Sequence, residues 1–164
     1  YYAAEYPQKV KKLILLDASG YPKNKIPMIF RLADKPFISD IFKVFTPKYL
    51  IEKNLKEVYY DDLKVTDDLV TRYYEMALRE GNRDAFIARS KKLISSDYDQ
   101  VKRVKCPTLI MWGAEDYWIP IADAERFHND IKGSELIVYE KTGHIPMEEN
   151  PFVTAANAME YLKQ

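Results

Sequence analysis

Two short stretches of this sequence carry residues that can hand a proton back and forth. One is Trp112-Gly113-Ala114-Glu115-Asp116, and the other is Thr142-Gly143-His144-Ile145-Pro146, with His144 28 positions after Asp116. A carboxylate that holds one ring nitrogen of an imidazole fixes its tautomer and stabilises the imidazolium, which is two thirds of a nucleophile–histidine–acid device. Gly143 permits unusual backbone angles before the histidine, and Pro146 stiffens the loop after it. Such a loop suits an imidazole that must take and return a proton. His128, the other histidine, sits mid-helix between Phe127 and Asn129 and reads as structural. Two histidines so placed give no metal-ligand cluster, and no glycine-rich loop cradles phosphate, so no cofactor is expected.

These side chains need elements to position them. Thr108–Trp112 follows Cys106-Pro107 as a short, nearly uninterrupted apolar run, the signature of a strand buried on both faces of a parallel sheet. Gly113 ends it, and Asp116 lies just past its carboxyl end, where open α/β sheets place ligands and chemistry. Leu13-Ile14-Leu15-Leu16 reads as a second fully buried strand and Glu135–Tyr139 as a third. Asp17 closes the first of these and is a rival for the catalytic acid. Its alternative reading is a turn carboxylate accepting local backbone N–H groups. A helix is expected from Pro120, with Ile121, Ala124, Phe127 and Ile131 on one side and Gly133 ending the element. Asn150-Pro151 opens the last helix, with Phe152, Ala155, Ala156, Met159 and Leu162 on one face.

Between the first two strands the character changes. From Pro22 to about Ser96 strand signals vanish and helical, aromatic patterns take over. Ile26–Leu32 reads as a short helix ending before Pro36. Thr46 is expected to cap a helix with Pro47 at its first position and Ile51, Leu55, Val58 and Tyr59 at helical spacing. Thr66 caps the next, which carries Asp67 and Asp68 in its first turn and ends at Gly81. Asn82 caps a third, with Phe86, Ile87, Ser90, Leu93 and Ile94 along one face. A crossover between parallel strands needs only about a dozen residues, and the excess is expected to form a lid. The predicted organisation is α/β: residues 1–21 and 97–164 form a core of parallel strands flanked by helices, and 22–96 a helical cap.

Composition narrows the partners. Lysine plus arginine and aspartate plus glutamate number 25 each among 164 residues, a balance that argues against nucleic acid or an anionic membrane surface. No apolar run is long enough to span a bilayer. The single cysteine, Cys106, sits in an apolar setting as a core thiol and fits a reducing, cytoplasmic compartment. The sequence opens on Tyr1–Tyr6, read as the last turns of a helix stopped before Pro7, so the chain is expected to be part of something longer.

The motifs then resemble a family. Trp-Gly-Ala-Glu-Asp at 112–116 and Gly-His-Ile-Pro-Met-Glu-Glu-Asn-Pro at 143–151 resemble the acid and histidine motifs of capped α/β-hydrolases. Ala4-Glu5-Tyr6-Pro7, Val10 and Leu13–Asp17 are similar to that family's helix after the nucleophile and the strand that follows. The middle of the chain matches only as a helical cap of suitable length and position. The resemblance implies the order nucleophile, acid, histidine, with the nucleophile on a Gly-x-Ser-x-Gly or Gly-x-Asp-x-x elbow about a dozen residues before Tyr1. This chain carries no such elbow and no oxyanion donors. Ser19 follows the wrong strand and reads as a turn serine.

The resemblance thus implies the C-terminal part of a hydrolase of esters or related acyl or carbon–carbon bonds, with His144 as general base and then acid and Asp116 orienting it. Phe30, Phe37, Phe42, Phe45 and Tyr49 are expected to roof a pocket for a small apolar substrate, with Trp118 at its rim. Three alternatives stay open. An aspartate nucleophile would give an epoxide hydrolase or haloalkane dehalogenase, with Tyr59, Tyr60, Tyr73 and Tyr74 as candidate proton donors. A non-catalytic binding protein could keep the same fold, and an interaction module could fold as it stands. The chain alone is expected to be inert. It is also expected to self-associate or to pair with a missing N-terminal half, because an unpaired strand edge runs along Lys12–Asp17.

Overall fold

A computed structural model describes residues 1–22, 26–91 and 98–164. Leu93 and Ile94, expected on the third cap helix, lie outside the described residues, as does the expected cap-to-core boundary at 96–97. The chain runs α1 (Tyr2–Glu5), β1 (Leu13–Leu16), α2 (Met28–Ala33), α3 (Pro36–Val44), α4 (Lys48–Val58), α5 (Asp67–Leu78), α6 (Asn82–Lys91), β2 (Thr108–Gly113), α7 (Ile121–Asp130), β3 (Glu135–Tyr139), α8 (Pro146–Glu149) and α9 (Pro151–Lys163). No helix among the described residues is long and apolar enough to cross a membrane.

The three strands pair in parallel in the order β1-β2-β3. Leu13 stands opposite Thr108 and Leu16 opposite Met111, while Leu109 stands opposite Glu135 and Gly113 opposite Tyr139. β2 is central and wholly buried, as its unbroken apolar run requires. Its side chains alternate between two cores. Ile110 and Trp112 pack with Ala124 and Phe127 of α7 and with Ile131, and Leu109 and Met111 pack with Tyr139 and Tyr161 on the α9 side. Burying a side chain of this size contributes about 1.5–3 kcal/mol, so β2 anchors the loop that follows it.

Two expectations about this core need correction. Leu13–Leu16 is half-buried rather than fully buried, because among the described residues β1 is the edge of the sheet and has a neighbour on one side only. On α9, Thr154 and Tyr161 face inward, and Phe152 is 90% exposed with Met159 and Leu162 at 57%. The apolar stripe read from spacing is present, but the helix turns its other side to the sheet.

The segment expected to form a cap folds as the helices α2–α6, with a small core of Leu55, Val58, Tyr59 and Val70. Trp118 and Ile145 pack against that core from the loops after β2 and β3, joining cap to sheet. Thr66 caps α5 as expected, its Oγ1 accepting from Leu69 N at 3.2 Å. Thr46 does not cap α4. Pro47 takes that position, and the Thr46 hydroxyl donates back to Phe42 O at 3.4 Å. Pro36 does more than stop a helix, since it opens α3 from the first position, where a missing N–H costs nothing.

Candidate active site

Asp116 and His144 meet. His144 Nδ1 lies 2.7 Å from Asp116 Oδ2, with the Asp116 side chain fully buried and that of His144 20% exposed. A carboxylate only accepts, so Nδ1 carries the proton and Nε2 presents its lone pair. Asp116 is itself held firmly, its Oδ1 accepting from Trp118 N at 2.7 Å and from Ile119 N at 2.9 Å.

The two loops are clasped to each other. Ala114 N donates to Tyr139 O at 2.9 Å, Glu115 N to Thr142 O at 3.0 Å, and Thr142 N to Glu115 Oε2 at 2.9 Å. Gly113 lies directly beneath this clasp, and a side chain there would collide with the backbone oxygens of Thr142 and Gly143. Gly143 is required for the same reason, since a Cβ would strike the Val58 carbonyl at the end of α4. His144 N donates to that carbonyl at 2.7 Å, so the histidine loop rests on the cap as well as on the sheet.

Two residues at this junction were not assigned roles from sequence. The buried Glu149 carboxylate accepts from Gly143 N at 2.6 Å, Tyr60 N at 3.1 Å and Asp61 N at 3.3 Å. Glu148 accepts from the Tyr59 and Tyr73 hydroxyls at 3.0 and 2.7 Å and from Arg72 at 2.6 Å. Two consecutive acids within a motif already marked by His144 were the available signal. Their partners among Tyr59–Asp61 and Arg72-Tyr73, 75–89 positions away, were not.

Asp17 also converges here. It sits at φ 40°, 4% exposed, with Oδ1 accepting from Gly113 N at 2.9 Å across the sheet rather than from its own turn. Asp17, Asp116 and His144 each bring one donor atom to within 4.8 Å of the others, and they are the only such cluster among the described residues. Ser19 is exposed, His128 pairs its Nδ1 with Ser134 Oγ at 3.0 Å, and Cys106 is buried and free.

The aromatic residues divide. The Trp118 ring stands 5.3 Å from that of His144 and 5.6 Å from that of Phe30, which in turn meets Phe86 at 5.2 Å. Phe42 lines a cavity of about 350 Å³ with Ile29, Leu50, Ile51, Phe86 and other cap residues. That space lies within the cap and does not include His144 or Asp116. Phe37, Phe45 and Tyr49 do not line it. They are 77%, 60% and 65% exposed, Phe37 on the solvent side of α3, Phe45 at its end and Tyr49 in the first turn of α4. Of the four tyrosines considered as proton donors, Tyr59 and Tyr73 are committed to Glu148. Burial first, and then Glu148, holds both phenols above their usual range, Tyr73 at about 12. Tyr60 is half exposed, and the Tyr74 hydroxyl has no hydrogen-bond partner among the described residues.

Comparison with known proteins accords with this architecture. A family model described as "alpha/beta hydrolase fold" matches residues 1–151. The chain is 27% identical over 165 residues to an uncharacterized hydrolase, YugF, of Bacillus subtilis (strain 168), covering 98% of this chain and 59% of that protein. It is 27% identical over 168 residues to Lipase 1 of Psychrobacter immobilis, covering 95% and 49% respectively. Among solved structures, it matches a mutant of a meta-cleavage product hydrolase from Pseudomonas fluorescens IP01, complexed with acetates, with a TM-score of 0.77. That match has 22% identity and covers 98% of this chain and 58% of that one. The chain therefore spans about half to three fifths of the length of these relatives. With a parallel sheet, an acid and a histidine on successive strand ends, and a family match over most of its length, the chain belongs to the α/β-hydrolase fold family.

Proposed function

We propose that this chain is the cap and C-terminal part of a serine-type hydrolase of esters or related acyl or carbon–carbon bonds, with His144 as proton carrier and Asp116 as its orienting acid. The observation that carries the reading is the 2.7 Å contact between His144 Nδ1 and the fully buried Asp116 carboxylate. It leaves Nε2 free of hydrogen bonds among the described residues and able to take a proton from a nucleophile, then return it to the leaving group. The nucleophile and the oxyanion donors belong, in this proposal, to sequence upstream of Tyr1. Trp118 and Phe30 would wall an apolar substrate site beside the imidazole. No cofactor enters the reaction, and the lone buried thiol of Cys106 suits a reducing, cytoplasmic setting. The relatives' printed names, a lipase and a meta-cleavage product hydrolase, fit ester and carbon–carbon substrates respectively.

The test compares this chain with the same chain extended upstream, on a short p-nitrophenyl ester. The extended protein should turn over and the chain alone should not. Turnover by the chain alone, abolished by His144→Ala, would place a nucleophile within these 164 residues and overturn the assignment.

A further inference from the structure

The histidine–acid pair leaves one buried group in contact with it unused. Asp17 Oδ2 is buried and has no hydrogen-bond partner, while Oδ1 is held by Gly113 N–H at 2.9 Å. An unpaired buried carboxylate oxygen is costly. The titratable groups that face it are Asp116 from the end of β2, His144 and Glu149 from the histidine loop and α8, and Tyr139 from β3. Two carboxyl groups this close cannot both carry charge without a large penalty, and one proton shared between them removes it. The three N–H donors on Asp116 favour the negative form there. The proton then resides on Asp17.

We propose that Asp17 is a positioning residue that stays protonated and donates from Oδ2 to the Asp116 carboxylate, fixing the acid against which His144 is held. Its neutral state at pH 7 agrees with the direction of its acidity. Burial pushes the carboxyl up to about 8, the Gly113 N–H opposes this, and Asp116 and Glu149 add to it. The left-handed backbone of Asp17, at φ 40°, is one that Asp and Asn accept better than most residues. Asn is therefore the natural probe, because it can hold both bonds without titrating. This inference rests on the proposed role of His144 and Asp116, so one arm of the test must not depend on turnover.

That arm is the His144 Nδ1–H proton resonance in the upstream-extended protein. In the wild type it should shift in a single step as pH rises through about 8, when a second negative charge forms beside Asp116. In Asp17→Asn it should not move over that range. The kinetic arm follows kcat/KM, which should fall through the same pH in the wild type and lose that limb in Asp17→Asn. Asp17→Leu, which cannot donate, should lower kcat at least about 10-fold with little change in KM. A wild-type resonance that is flat through pH 8, or an unchanged step in Asp17→Asn, would overturn the proposal. So would a protonated carboxyl missing from the wild-type infrared spectrum at pH 7, which needs no variant to fold. A resonance step in a protein without hydrolase activity would support the positioning geometry while refuting the hydrolase reading.

Discussion

Glu149→Ala should loosen the histidine loop more than any other single change outside the proposed triad. The wild-type carboxylate, 5% exposed, takes three backbone N–H groups, one from the nearby Gly143 and two from the distant Tyr60-Asp61. The Gly143 N–H is fully buried, and a charge-assisted bond of this kind contributes about 1.5–3 kcal/mol. The Tyr60 and Asp61 N–H groups are partly solvated and together add about 0.5–1.5 kcal/mol. The expected loss is therefore about 2–4.5 kcal/mol, with Glu149→Gln intermediate because it keeps one acceptor oxygen. Urea unfolding of the upstream-extended protein reads the stability, and amide exchange at Gly143 reads the local effect. His144 is the next residue and its own N–H is bonded to Val58 O, so kcat should fall about 10–100-fold as the imidazole loses its fixed position. Stability within about 0.5 kcal/mol of wild type, with Gly143 exchange unchanged, would show that this carboxylate does not join the Tyr60-Asp61 segment to the histidine loop.

Other changes follow from the same geometry. Gly143→Ala should destabilise by about 1–3 kcal/mol, because the new methyl meets the immovable Val58 carbonyl; a thermal melt equal to wild type would contradict the close approach. Asp17 has a folded acidity raised from about 4 to about 8, so its stabilising effect is complete below pH 4 and is lost as pH rises from there through 8. The melting temperature of Asp17→Asn relative to wild type should accordingly rise with pH across that window. Expressed alone, the chain should self-associate through the β1 edge and the exposed Phe152, Met159 and Leu162 surface. Light scattering showing a stable 19.3 kDa monomer would refute that.

The parts of this fold that sequence made legible are those encoded locally. Three short apolar runs became the three strands, and the residues just past two of them, Asp116 and His144, came together as their strand ends predicted. Thr66 was readable as a cap because its partner is three residues away. What was not legible depends on approach between distant segments. The bond from Gly113 N–H to Asp17 spans 96 positions, and nothing in Leu13–Asp17 announces it. The rotation of α9 illustrates a different limit. Its apolar stripe was visible, but periodicity alone does not say which side of a helix the sheet takes, and Thr154 and Tyr161 turned inward instead. On α3, Phe37 and Phe42 are five positions apart and so point well away from each other around the helix; residue type alone put both on the roof, and only Phe42 lines the cavity while Phe37 is in solvent.

In the proposed function, His144 and Asp116 act as one device on a nucleophile supplied upstream. A double-mutant cycle on kcat for a short ester, using His144→Ala, Asp116→Ala and both together in the extended protein, tests it directly. His144→Ala should cost about 10²–10⁴-fold. The double variant should lose little beyond the worse single variant, because an orienting acid has nothing left to orient. Losses that multiply, or a His144→Ala protein as fast as wild type, would contradict the account.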